Sequence, residues 1–320
     1  MPAAAALGRS PDRRAVFVGS SGGKFVALRA KDGKLLWEAS TGPVSSAPLV
    51  HGKLIYVGTD DGALVALDVA TGKQKWRYAA RGAVLGTPVV AGDSVFFSTD
   101  RDKIFALDRD SGKWRWEYER ETPEEFTLRG SSGVTVAGDL VLCGFADGNL
   151  VALAAAGGET RWVKSLAAGK TQFVDVDTTP VVRGDTVYAA SSSGGLFALS
   201  LAGDERWRLA LDGITNVATD GQRLYVSAAV QGLAAVDFTG RLLWRQGFAR
   251  AGDPSRPVLN GDLLLVSIAD RGLYVVDKRS GRLLQFFDPG PGVSGAPAVD
   301  DGRVFLLSNG AILYAMNLRT

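Results

Sequence analysis

Cysteine and histidine are almost absent, with one of each, Cys143 and His51. A lone cysteine forms no intrachain disulfide, and a structural zinc site of Cys and His ligands needs more of both. The cysteine count does not assign a compartment, because disulfide-free proteins occur in all of them. No apolar run approaches the roughly 18 residues of a membrane-spanning helix. The N-terminus, MPAAAALGRSPDRR, lacks the charged start and apolar stretch of a secretory signal. An excess of charge of one sign is also missing. Lys plus Arg is 36 against 34 Asp plus Glu, a formal net charge of +2, which argues against a nucleic-acid partner. Proline is sparse at 12 residues, whereas glycine is abundant at 40 and follows no collagen period, as a chain rich in tight turns requires.

The glycines belong to an internal repeat. A Gly precedes a Trp by four residues in DGKLLW, TGKQKW, SGKWRW, GGETRW, AGDERW and TGRLLW, ending at Trp37, Trp76, Trp116, Trp162, Trp207 and Trp244. A seventh copy, SGRLLQ, has Gln285 in the Trp position. Successive spacings are 39, 40, 46, 45, 37 and 41 residues. An eighth unit, APAVDDGRVFLLSNGAILYAMNLRT, stops before its own Gly and Trp.

Each unit reads as four short strands rich in Val, Leu, Ile and aromatics and bounded by Gly turns. In the second unit these are SAPLV, LIYVGT, ALVALDV and KQKWRYA. The first turn repeats its glycine at Gly52, Gly92, Gly138, Gly184, Gly221, Gly261 and Gly302, as a hairpin turn needing positive φ demands. Pro48, Pro88, Pro180, Pro257 and Pro297 open first strands, where a missing ladder donor is tolerated. Helical repeats of similar length fail, because no unit holds a 12-residue stretch of helical period. Four antiparallel strands in about 40 residues describe a propeller blade. The expectation is a single all-β domain over 1–320, an eight-bladed propeller of four-stranded blades. The six tryptophans are expected on outer strands as mostly buried inter-blade wedges.

Closure is the irregular point. The first unit is expected to begin with the strand AAAAL. The eighth is expected to lack its fourth strand, with an exposed edge near Tyr314 to Asn317. The strand that would complete it is expected upstream of Pro2.

The Gly-x-x-x-Trp units with ALVALD-type third strands resemble the pyrroloquinoline-quinone-type propeller repeat along the whole chain. FTLRGSS (126–132) and DVDTTPVV (175–182) resemble two loops of the BamB family, propeller lipoproteins of the outer-membrane β-barrel assembly machine. GDTVYAASSSGGLFALSLAG and TNVATDGQRLYV resemble that family in order and spacing. The resemblance implies a non-enzymatic scaffold at the periplasmic face of the outer membrane. It implies a monomer, tethered by a lipid anchor, that binds the POTRA domains of BamA and assists unfolded outer-membrane proteins. The family's contact positions fall on Phe126, Leu128, Arg129, Asp175 and Asp177. Phe126 departs from a more familiar leucine. The family's N-terminal lipid-bearing cysteine has no counterpart, since Cys143 lies in the strand DLVLCGF.

The residues themselves point to the same surface. The two longest spacings are consecutive, and the extra residues fall in fourth-to-first-strand connections, YERETPEEFTLRGS and KSLAAGKTQFVDVDT. Equivalent connections of neighbouring blades share one face, so the two insertions should present Phe126, Leu128, Arg129, Phe173, Asp175 and Asp177 together. Apolar anchors with an Arg and carboxylates have the composition of an interface hot spot. The alternative is local: Leu128 and Phe173 cap their own blades, and Arg129 pairs with Asp175 or Asp177.

Other chemistry is poorly supported. Quinoprotein dehydrogenases hold their cofactor against a vicinal disulfide and calcium. One cysteine excludes the first, and no Glu/Asn/Asp trio stands out for the second, so no cofactor is expected. His51 sits in a turn slot filled elsewhere by Ala91, Ala137, Arg183, Asp220, Asn260 and Asp301, and reads as solvated rather than catalytic. Asp60–Asp61 and Asp300–Asp301 are turn residues on the same grounds. A sensor or interaction propeller within a larger signalling protein is the alternative function.

Overall fold

The structure is a computed structural model and describes residues 6–10, 13–120, 132–229, 231–248, 252–300 and 302–318. It is an all-β ring of eight antiparallel sheets, seven four-stranded and the last three-stranded. Blades one to eight span residues 6–40, 49–79, 89–119, 135–165, 181–209, 214–246, 258–287 and 298–317. The second and third strands of each blade carry the core. Leu54–Gly58 and Ala63–Asp68 of blade two are almost wholly buried, whereas its fourth strand, Gln74–Ala79, is largely exposed. Pro48, Pro88, Pro180, Pro257 and Pro297 stand immediately before first strands, outside the hydrogen-bonded ladder. First-turn glycines take left-handed backbone, as at Gly52 with φ 59°, a conformation open to glycine at little steric cost.

A four-stranded sheet has two apolar faces, so each blade must pack on two neighbours. One apolar cluster lies at each of the eight seams between successive blades, including the seam that closes the ring. The Gly-x-x-x-Trp motif links these seams. Each Trp stands on the fourth strand, opposite an alanine of the third, as Trp76 stands opposite Ala66. Its indole N–H donates to a carbonyl of the next blade's third-to-fourth turn, Trp37 to Val69, Trp76 to Arg109 and Trp116 to Ala155. It also lies against the next repeat's motif glycine. A Cβ on Gly72, Gly112 or Gly158 would approach Trp37, Trp76 or Trp116 to 2.4, 2.5 and 2.8 Å. The glycine of one repeat is thus the seat for the tryptophan of the repeat before it.

Trp76 and Trp116 are buried, and Trp37, Trp162, Trp207 and Trp244 are partly buried, because the outermost strand leaves part of the indole at the rim. One expectation is corrected. The first strand of blade one, Ala6–Ser10, runs three residues past the end of AAAAL, of which residues 3–5 lie outside the described residues. The hairpin register places Ser10 opposite Arg13, and this unit lacks the first-turn glycine that marks the strand end in the others. Among the described residues, the eighth blade ends on Leu313–Asn317, paired only with Arg303–Leu307.

Candidate functional site

The two longest connections between blades are residues 120–134 and 166–180. Their C-terminal ends run side by side. The Ser132 hydroxyl donates to the Thr178 carbonyl at 2.9 Å, and the Gly133 N–H to the Thr179 hydroxyl at 3.2 Å. The Thr135 hydroxyl donates to the Pro180 carbonyl at 2.6 Å. Phe126, Leu128 and Arg129 lie outside the described residues.

The second connection contains a pattern that sequence reading missed. DVDTTP is one copy of a Val-x-x-x-Pro segment that recurs at Val44–Pro48, Val84–Pro88 and Val293–Pro297. All four valines are fully buried. A Cβ on Gly144 would approach the Val176 side chain to 2.3 Å, and Gly19 and Gly58 face Val44 and Val84 as tightly. The valine therefore plugs the end of a second strand, which fixes the residues around it. Asp175 holds the slot of Pro43, Ala83 and Gly292. Its carbonyl accepts the Ser192 N–H at 3.1 Å, as Pro43 accepts from Asp60 and Ala83 from Asp100. This backbone role suits any residue, so a carboxylate here is not needed for folding. The Asp175 side chain is 1% exposed.

Asp177, two residues on, is half-buried and lines a cavity of about 770 Å³ along the ring axis, with Thr87, Thr179, Asn216 and Arg256. Burial, then the charges of Asp175 and Asp102, pushes the Asp177 carboxyl up to about 7. Arg256, which sequence reading also missed, has its pKa lowered by burial. Its signal in the sequence is faint, a lone Arg before the first-strand Pro257. The charges of Asp175 and Asp102 are thus both felt at Asp177. On the face that carries the two connections Phe173 is 57% exposed, with φ 54°, so it does not cap its own blade. A non-glycine residue with left-handed backbone is uncommon and strained, and such residues concentrate at binding loops.

The other candidate chemistry finds little support. His51 is exposed at the end of the strand Leu49–His51, just before the turn at Gly52. Cys143 is buried, and burial pushes its thiol up to about 12, which removes thiolate reactivity near neutral pH. Among the described residues, no group of three or more His, Cys, Asp or Glu side chains is placed to hold a metal ion.

The profile of the family described as outer membrane protein assembly factor BamB matches residues 4–77, 41–239 and 229–320. The BamB protein of Shewanella oneidensis is 36% identical over 74 residues, 23% of this chain and 19% of that protein. That of Burkholderia pseudomallei is 46% identical over 61 residues, 19% of this chain and 16% of that protein. The crystal structure of BamB from Moraxella catarrhalis superposes with a TM-score of 0.83 at 23% identity, covering 98% of this chain and 96% of that one. With the profile matched along nearly the whole ring, this chain belongs to the BamB family of outer membrane protein assembly factors.

Proposed function

We propose that this propeller is a non-enzymatic scaffold of outer-membrane β-barrel assembly. It works at the periplasmic face of the outer membrane and binds POTRA domains of BamA through the paired connections of blades three to five. The observation that carries the reading is the hydrogen-bonded pairing of those connections, from Ser132 to Thr178 and Gly133 to Thr179. They are the segments where the family resemblance puts the partner contact. Phe126 and Leu128 supply apolar area. Arg129 supplies five planar donors suited to bidentate recognition. Asp175 is buried, so it acts as a positioning residue that orients Arg129 rather than as a contact. Asp177, which lines the axial cavity, adds a polar group beside them. Orienting the guanidinium before the partner arrives lowers the ordering cost of binding.

Calorimetric titration with isolated POTRA domains tests this reading. Leu128→Ala should weaken binding mainly by faster dissociation, and Arg129→Glu should do worse by setting a carboxylate beside Asp175 and Asp177. Normal affinity in a folded Leu128→Ala, Arg129→Glu double variant refutes the assignment.

A further inference from the structure

The blades meet the ring axis at one repeated position. The residue before the first-strand proline is Ala47, Thr87, Thr179, Arg256 or Ala296. Gly133 and Asn216 stand in the same slot of blades four and six, five residues before the first-turn glycine as in blades two, three, five and seven. All seven residues line the axial cavity of about 770 Å³. Six of them are neutral, and Arg256 alone carries a charge.

Arg256 is exposed to the channel, yet the walls around it shelter it enough to lower its pKa. Burial is the sole cause of that shift, so no neighbouring carboxylate offsets the charge. Among the described residues its guanidinium has no hydrogen-bond or ion-pair partner. Sheltered cations elsewhere in the ring are paired, Arg120 with Asp147 and Lys278 with Asp220. A sheltered cation without a partner is costly. The fold nevertheless mounts it firmly. The Ser227 hydroxyl donates to the Ser255 carbonyl at 2.8 Å, and the Ser255 hydroxyl donates to the Arg256 carbonyl at 3.2 Å while accepting the Ser267 N–H at 3.0 Å. Pro257 then holds Arg256 to extended backbone. None of this needs an arginine, since alanine fills the slot at Ala47 and Ala296.

The rest of the cavity suits an anion with an apolar body. Thr87 and Thr179 bring hydroxyls and Asn216 an amide. The Thr179 hydroxyl accepts the Gly133 N–H at 3.2 Å and keeps a proton to donate. Two residues further along their strands, Leu49, Val89 and Val181 add apolar wall. Asp177 is the one carboxyl that lines the cavity among the described residues. Burial, with the charges of Asp175 and Asp102, pushes it up to about 7, so much of it is uncharged at neutral pH and Arg256 sets the sign of the cavity.

We propose that the axial cavity binds a small organic carboxylate, held by Arg256 through a bidentate pair and extending its apolar body toward Leu49, Val89 and Val181. One guanidinium balances one negative charge, and its planar fork matches the two carboxylate oxygens. The cavity volume falls within the roughly 300–1,000 Å³ of small-molecule sites. The site adds a ligand and no reaction, and it is independent of the BamA reading.

The probe is phenylbutyrate, titrated calorimetrically into the full chain beside its neutral isostere phenylbutyramide, inorganic phosphate, and a pentapeptide of glycine and alanine ending in leucine. Saturable one-to-one binding of phenylbutyrate is expected, with the amide weaker by roughly tenfold or more. Arg256→Ala, which installs the residue of blades two and eight, should abolish binding without lowering Tm and should leave POTRA affinity unchanged. Arg256→Lys keeps the charge but not the fork, and should bind between the two. The acid–amide comparison uses the unaltered chain and so decides the matter whatever the variants do. Absence of saturable binding, equal binding of acid and amide, or undiminished binding by folded Arg256→Ala overturns the proposal. Phosphate binding as tightly as phenylbutyrate overturns it in favour of an inorganic anion, and tighter binding of the peptide overturns it in favour of a chain end.

Discussion

At the scale of residues, stability rests on a Gly–Trp contact that joins neighbouring repeats. Trp76 is 8% exposed, lies beside Tyr56 and bonds the Arg109 carbonyl. Trp76→Ala should cost roughly 3–5 kcal/mol in urea unfolding. Trp76→Phe keeps a ring but loses the hydrogen bond, and the lost bond alone should account for about 1 kcal/mol. The glycines separate in the same assay. Gly52 and Gly112 both have positive φ, at 59° and 69°. A Cβ on Gly52 meets nothing within 4 Å, so Gly52→Ala carries only the backbone penalty of roughly 1–2 kcal/mol. A Cβ on Gly112 strikes Trp76 at 2.5 Å, which should add an overpacking cost of roughly 1–3 kcal/mol. Equal losses at the two glycines would mean that the indole moves aside freely.

At the scale of elements, the connection of residues 166–180 carries a testable pH response. Burial first, then Asp175 and Asp102, raises the Asp177 carboxyl from 3.8 to about 7. A raised carboxyl pKa means that the folded state holds the proton more tightly than the unfolded chain. The stability this contributes is complete below about pH 4 and is lost as pH rises through about 7. Wild-type Tm should therefore fall between about pH 5 and pH 8 by more than the Tm of Asp177→Asn, and the variant should gain most at the alkaline end. Parallel profiles would show that Asp177 is ionised throughout. Strands, turns and blade count were legible because each is written seven or eight times in period-2 apolar runs and turn glycines. The end of the first strand of blade one was misplaced because no glycine follows Ser10. The Val-x-x-x-Pro plug escaped notice because its only fixed residues, such as Val176 and Pro180, are ordinary in a strand-rich chain. Arg256 and the axial cavity were invisible because residues far apart in sequence meet there only once the ring closes.

At the scale of the whole molecule, the eight seams are unequal, and this sets where the ring opens. A propeller is a closed one-dimensional array in which each blade touches only its two neighbours, so opening begins at the weakest seam. Among the described residues, the closing seam has five buried core residues, Val16, Val18, Ala30, Phe305 and Leu307, with three partly buried hydrophobics packed on them; the seam of blades seven and eight has five with seven, and the seam of blades one and two eleven with four. Among the described residues no indole crosses the closing seam. Its polar links include the Arg303 bond to the Ala30 carbonyl and the Arg14–Asp300 ion pair, whose side chains are 45% and 37% exposed. An ion pair that exposed contributes at most about 1 kcal/mol. Native-state hydrogen exchange should therefore find a sub-global opening confined to blades eight and one. Amides of Arg13–Gly19 and Arg303–Leu307 should exchange through it sooner than those of Leu140–Gly144 and Thr186–Ser191, on the opposite side of the ring. Arg303→Ala should speed exchange in the first pair of strands and leave the second pair unchanged. Uniform protection around the ring would show that closure is as strong as any other seam.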